Sequence, residues 1–360
     1  MRLILPLLFA GSWAGYSCCM ESLDLSASTG NIFRLSPSMT APLVNMQRLG
    51  LPLALGAMLL GSCNQNPDAN TGPNDDTATS GRIQISVDET FAPIVKSQVD
   101  TFQKLYTYAH IDAAYKAEDY VANDLVTGKV RAVVLSRPLT AEEQADLEKQ
   151  KLFPRTTKIA TDGLAIILHP SNPDSLLTMA QLKAIFTGQT SSWRQISGKD
   201  KLDKINVVFD ANRSSTTRYV QDSITRGTAL TKQVFAAKSN PALLDYVATH
   251  PNAIGIVGAN WISDRDDAAV QRFLKQVRVA GISKSASPKS EEDYLQPYQA
   301  FLALKTYPLR REVYIISREG RAGLGTGFAS FAAGTKGQLI VLKSGMMPAT
   351  GQTRIVTIKK

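Results

Sequence analysis

Ile205-Asn206-Val207-Val208-Phe209-Asp210-Ala211-Asn212-Arg213-Ser214-Ser215-Thr216-Thr217-Arg218-Tyr219-Val220 reads as a strand, a loop and the start of a helix. The apolar run ends at Phe209, and helical spacing runs from Tyr219 or Val220 to Ile224. Between them lies a loop of hydroxyls with two arginines. A helix N-terminus carries unpaired backbone N–H groups and the positive end of a dipole. Hydroxyls and a guanidinium at such a place make an anion site without a metal. Ser and Thr also favour the N-cap for its own sake, so taken alone the loop reads more simply as a cap.

The rest of the chain bears on that choice. At 360 residues, with 44% hydrophobic and 20% charged residues, one large domain or two lobes can be built. The net charge of +9 comes from scattered residues with no compact Lys/Arg run interleaved with aromatics, so a nucleic-acid partner is not indicated. A basic surface helps collect small anions or keeps the protein soluble. Cys18, Cys19 and Cys63 are its cysteines, all ahead of the body. That excludes a disulfide, a thiolate nucleophile or a cysteine metal site in the body. His110, His169 and His250 stand far apart without ligand spacing. No metal or cofactor is expected, and no Ser/His/Asp set or carboxylate pair points to an enzyme.

Met46-Gln47-Arg48 precedes an apolar run from Leu49 to Leu60 that closes on Leu60-Gly61-Ser62-Cys63. A basic start, a short apolar core and small residues make a secretory signal over 46–63, too short to span a membrane comfortably. Leu-Gly-Ser-Cys resembles a bacterial lipobox, with Cys63 as the lipidated residue. Residues 1–45 are expected to be a non-native or disordered extension. Residues 64–81, rich in Asn, Asp, Thr, Gly and Pro, are expected to form a flexible linker.

Within the body, Ile83, Ile85 and Val87 alternate as a strand over 82–87. Phe91, Ile94, Val95, Val99 and Phe102 then give one helical face. Strands are predicted at 111–115, 130–135, 163–168, 253–257 and 313–316, with a further candidate at 277–282. Helices are predicted at 118–127, stopped by Gly128, and after capping boxes formed by Thr140 with Glu143 and Thr178 with Gln181. Asn240-Pro241 reads as N-cap then N1 of a helix to Thr249. Strands alternating with helices make an α/β fold. Arg137 falls at the exit of a buried strand, where α/β sheets place ligands. Gly323-Leu324-Gly325-Thr326-Gly327 lacks the Lys-Ser/Thr of a phosphate loop and reads as a hinge or the lead-in to a helix.

These residues resemble those of the periplasmic phosphate-binding proteins of ABC importers, within the type II periplasmic binding fold. Thr90-Phe91-Ala92-Pro93 looks like the family's first phosphate loop. Asp162-Gly163-Leu164-Ala165 is similar to its Asp-Gly-Leu-Ala strand. Leu177-Thr178 to Leu182, Ile185-Phe186-Thr187-Gly188 and Trp193 resemble its most specific block. Ala253-Ile254-Gly255, and Tyr307-Pro308-Leu309 with Gly337-Gln338 and Pro348, extend the match over nearly all of 82–350. The family's Ser-Gly-Thr anion loop stands here as Ser214-Ser215-Thr216. Asp210 occupies the place of a family arginine, and Ser136-Arg137 that of a family aspartate.

The resemblance implies two α/β lobes joined by two hinge strands, with 82–162 and 313–360 as lobe 1 and 163–312 as lobe 2. It implies an extracytoplasmic receptor for an inorganic oxyanion, phosphate first, feeding an ABC importer permease from a lipid anchor in the periplasm or cell envelope. A monomer is expected. Thr90, Phe91, Ser214, Ser215 and Thr216 would donate hydrogen bonds, Arg137 and Arg213 would neutralise charge, and Ser136 would also line the ligand site. The alternative is a non-transport phosphate sensor or surface interaction protein on the same fold.

Overall fold

The computed structural model describes residues 76–198, 202, 204–263, 266 and 268–350. The extension 1–45, the signal 46–63 with Cys63, and the linker up to 75 lie outside the described residues. The last part of that linker is held to the body: the Asp76 carboxylate pairs with Arg131 and Arg321 and accepts from the Leu324 amide.

The first half of the body begins with β1 (Gly81–Asp88), whose Ile83, Ile85 and Val87 face the core. α1 (Ala92–Leu105) buries its predicted face, with Pro93 in its first turn. β2 (Ala109–Lys116) leads to α2 (Glu118–Val126), and Gly128 (φ +80) turns the chain beyond it. β3 (Ala132–Leu135) is shorter than the predicted 130–135. α3 (Ala141–Lys149) opens on the expected Thr140/Glu143 box. β4 (Arg155–Leu168) is a 14-residue strand, of which only the end was apolar enough to read, because Arg155, Thr156 and Lys158 face solvent.

The second half follows. β5 (Leu176–Thr178) and α4 (Met179–Thr187) carry the Thr178/Gln181 box and a left-handed stop at Gly188. α5 (Arg194–Ser197), β6 (Asn206–Phe209) and α6 (Ser215–Tyr219) come next, α6 continuing as a wider turn over Val220–Ile224. β7 (Val234–Ala236), α7 (Asn240–Thr249), β8 (Ala253–Gly258), α8 (Ala268–Gln276), β9 (Arg278–Val279), β10 (Gly281–Ser283) and α9 (Gln299–Ala303) complete it. The 277–282 candidate is thus two short strands broken at Ala280. β11 (Arg310–Ser317) returns to the first half, which α10 (Leu324–Ala333), α11 (Thr335–Lys343) and β12 (Met347–Pro348) close. The glycine run is the first turn of α10: a Cβ on Gly327 would lie 1.8 Å from the Ala78 carbonyl oxygen, so close approach requires glycine there.

The strands run in the order β2-β1-β3-β11-β4-β8-β6-β7, with β9 and β12 also on β4. β1 pairs in parallel with β2 and β3, and β6 with β7 and β8. β4 and β11 are antiparallel, from Arg310 opposite Gly163 to Ser317 opposite Arg155. β4 then continues past Gly163 to pair with β8. One long strand therefore belongs to both halves, and β11 runs back beside it. The apolar cores are separate: Phe91, Phe102 and Phe328 anchor one, while Phe186, Trp193, Phe209 and Tyr307 anchor the other. Burying each such aromatic contributes roughly 1.5–3 kcal/mol, so each half has a sizeable core of its own.

Candidate functional site

Buried polar groups collect where the carboxyl ends of β1, β6 and β8 meet the β4–β11 pair. Such strand ends are where open α/β sheets place ligands. From the first half, Asp88 ends β1 and caps the turn that carries Thr90 and Phe91, its Oδ1 accepting from the Thr90 amide at 3.1 Å. From the second half, Ser214 caps α6: its Oγ accepts from the Thr217 amide at 3.1 Å and donates to Asp210 Oδ1 at 2.6 Å. Capping and site-building are thus the same act here. The cap fixes the loop so that Ser215 and Thr216, both fully buried, stand at the first turn.

The halves touch directly. Thr90 Oγ1 lies 3.3 Å from Ser215 Oγ and 3.5 Å from Asp210 Oδ2. The Thr90 carbonyl accepts from Asn260 Nδ2 at 3.0 Å and Trp261 Nε1 at 2.8 Å. Asn240 Nδ2 donates to Glu89 Oε2 at 2.7 Å. The predicted N-cap of α7 is here displaced by one: Ser239 caps, and Asn240 enters the helix with its side chain free to bridge to Glu89. Ser239 wins because its hydroxyl reaches the Ala242 amide at 3.3 Å.

The cation at the centre is Arg311. It lies on β11 opposite Asp162 of β4, with 3% of its side chain exposed. Its Nε donates to Asp162 Oδ2 at 3.1 Å, Nη1 donates to Ser215 Oγ at 2.8 Å, and its guanidinium sits 5.0 Å over the Phe91 ring. Sequence reasoning missed it. The apolar pattern alone starts this strand at Val313, but extended back by one period it puts Arg311 on the same buried face as Val313 and Ile315. A charge in a core register was the signal.

Of the residues expected from sequence, Thr90, Phe91, Ser214, Ser215 and Thr216 come together around Arg311. The other three stand apart from it. Arg137 spends both terminal nitrogens on Glu143 at 2.7 Å, so the carboxylate that completes the α3 capping box also holds this arginine. Arg213 is exposed, 6.0 Å over the Tyr120 ring. Ser136 is buried and donates from both N and Oγ to Glu118 Oε1, at 3.1 and 2.7 Å. Arg218 binds Glu118 and Ser136 as well. The charge that Asp210 does not supply therefore comes from another strand.

Carboxylates outnumber cations here. Burial pushes the Asp88 carboxyl up to about 7, helped by the charge of Glu118 and opposed by Arg311. Burial also raises Asp162 against the pull of Arg311, and Asp210 against the Ser214 hydrogen bond. Glu118 is different: burial raises it, but Arg218, Ser136 and Arg137 together hold it below its ordinary value. Several buried polar atoms in this cluster make no hydrogen bond among the described residues: Asp88 Oδ2, Asp162 Oδ1, Asn240 Oδ1, Asn260 Oδ1 and Thr216 Oγ1. An unmatched buried polar atom costs roughly 1–3 kcal/mol, so a cluster of them from both halves marks a place for a polar guest. A guest that both accepts and donates suits them. No group of His, Cys, Asp and Glu among the described residues fits a metal ion, and no described helix is long and apolar enough to cross a membrane.

Comparison with known proteins follows the same line. A family model described as the PBP superfamily domain matches residues 72–336. The phosphate-binding protein PstS of Staphylococcus epidermidis is 25% identical over 277 residues, covering 76% of this chain and 79% of that one. PstS of Staphylococcus aureus is 25% identical over 271 residues, 74% and 76% of the two chains. Among solved structures, a putative phosphate ABC transporter substrate-binding protein with bound phosphate from Clostridium perfringens superposes with a TM-score of 0.63 at 21% identity, covering 75% of this chain and all of that one. An ABC-type phosphate transport receptor from Vibrio cholerae gives 0.56 at 21%, over 74% of this chain and all of that one. These likenesses show the fold.

Proposed function

The chain belongs to the PBP superfamily, and from that premise we propose that it is an extracytoplasmic substrate-binding protein that captures inorganic phosphate and delivers it to an ABC importer. It binds and releases without a chemical step. The two core halves act as lobes, 82–162 with 313–350 and 163–312, hinged on β4 and β11; the expected end of lobe 1 at 351–360 lies outside the described residues.

The observation that carries this reading is the set of buried groups around Arg311. Thr90, Ser215 and Thr216 offer hydroxyls, α6 offers its first-turn amides, and Arg311 offers N–H hydrogens beyond those aimed at Asp162 and Ser215. These suit the oxygens of a tetrahedral anion. Asp88, Asp162, Asn240 and Asn260 present unmatched acceptors beside them. Hydrogen phosphate carries a proton that one such acceptor can take, whereas sulfate at neutral pH carries none and would leave that acceptor unpaired at a cost of roughly 1–3 kcal/mol. The site therefore favours a protonated oxyanion even though Ser136-Arg137 replaces the family's aspartate. Ser136, Arg137 and Arg213 form the rim. Cys63 carries the lipid that holds the protein, as a monomer, to a membrane of the cell envelope.

Calorimetric titration with phosphate, sulfate, molybdate and tungstate tests this. Phosphate is expected to give heat and to bind more tightly than sulfate. No heat with any of the four overturns the reading.

A further inference from the structure

Glu118 opens α2 in the first half and is 1% exposed, yet its strongest partner comes from the second half. Arg218 Nε donates to Glu118 Oε2 at 2.5 Å, and Arg218 Nη2 donates to Ser136 Oγ at 2.8 Å. Ser136 in turn donates to Glu118 Oε1, so the three form a closed ring of hydrogen bonds across the two halves. Arg218 keeps 30% of its side chain exposed and also reaches Asp222 at 3.2 Å. Within the ring the carboxylate is buried and the arginine is partly exposed. The ring stands on the same loop and cap as Ser215 and Thr216, one turn away along α6. It uses none of the groups around Arg311.

We propose that Glu118 and Arg218 are a positioning pair that clasps the two halves together, so that the lifetime of the bound anion is set by the opening of this clasp. The proposal rests on the phosphate reading above for its ligand. The physical reason is additive geometry. A guest held by both halves leaves only when they part, and parting must first break a charge-assisted contact between a buried carboxylate and an arginine. Contacts that exist only in the shut form slow release more than they change capture. A carboxylate buried in this ring would repel an approaching anion if left alone. Arg218 cancels that charge and so makes the clasp compatible with an anionic guest.

The test is a double-mutant cycle with Glu118→Gln, Arg218→Gln and the pair together, plus Arg218→Lys as the conservative variant. Phosphate release is followed by stopped-flow fluorescence; Trp261, which donates across the halves to Thr90, is a built-in reporter. Each single glutamine variant is expected to speed release about tenfold, the double no more than either single, and lysine less than glutamine, with capture rates changed by no more than about threefold. Release rates within twofold of wild type, or effects that multiply in the double variant, overturn the proposal. Small-angle scattering of the ligand-free proteins separates this from the phosphate reading. The Arg218→Gln variant is expected to be more expanded than wild type. If wild type binds no phosphate, the phosphate reading falls, and equal radii of gyration then overturn the clasp as well.

Discussion

Replacing Arg311 by methionine removes the one cation around which Thr90, Ser215 and Asp162 are arranged. The side chain is 3% exposed and its partner Asp162 fully buried, so solvent screening is small. Breaking a buried pair by removing one partner costs about 3–5 kcal/mol, because the other charge is left uncompensated. Burial already raises the Asp162 carboxyl, so without Arg311 it takes up a proton and relieves part of that cost. The loss should therefore lie near about 3 kcal/mol at neutral pH. The sign with pH follows: the folded-state carboxyl is raised, so the variant loses stability further as pH rises. A second change, Asp162→Asn, removes the stranded acid and should restore stability to within about 2 kcal/mol of wild type. Phosphate affinity should not return. Losing the arginine's hydrogen bonds to a buried anion costs about 2–5 kcal/mol, or roughly 30-fold to several thousand-fold in Kd. Urea unfolding at pH 5 and 8 reads the first quantity and calorimetry the second. If the double variant bound phosphate within about threefold of wild type, Arg311 would not be the site's cation.

Thr216→Val should lower phosphate affinity while leaving stability unchanged or slightly improved, since its buried hydroxyl makes no hydrogen bond among the described residues; affinity and Tm measured together check this. Asp88→Asn should gain stability relative to wild type as pH rises from about 4 to about 7, because the folded carboxyl near 7 binds a proton that the unfolded one has already lost. A stability difference independent of pH would contradict that. Arg137→Ala should change phosphate affinity by less than about threefold while loosening α3, since Glu143 holds its guanidinium; calorimetry and amide exchange over 141–149 report the two effects. Gly188→Ala should cost about 1 kcal/mol or more, as φ is +79 and a Cβ would meet Thr231 Oγ1 at 2.9 Å; chemical denaturation measures it.

Where the physics is local, the amino-acid order was readable. The alternation of Ile83, Ile85 and Val87 and the two capping boxes appear where spacing places them, whereas the helix expected from Tyr219 or Val220 already starts at Ser215, because the Ser214 cap opens it there, so Arg218 lies on α6 and not in the loop. Each depends on contacts within a few residues. The polar beginning of β4 was hidden because its partner is β11, some 150 residues later, and its outer face is wet. Arg311 was hidden for a related reason. Its role comes from three separate segments, Asp162, Ser215 and Phe91, none of which is near it in the chain. Arg137 shows the converse: the strand-exit position was right, but the capping glutamate that the same stretch supplies takes its charge. The cap of α7 is displaced by one position because the Ser239 hydroxyl takes the Ala242 amide, which leaves the Asn240 side chain to reach Glu89 of the other half.

The most direct measurement is a crystal structure grown with phosphate. The account predicts a single phosphate within hydrogen-bonding distance of Arg311, Ser215 or Thr216, and Thr90, with one oxygen against an Asp88, Asp162, Asn240 or Asn260 acceptor. Phosphate bound only at the outer rim, or Arg311 and Asp162 paired with no anion beside them at saturating phosphate, would contradict it.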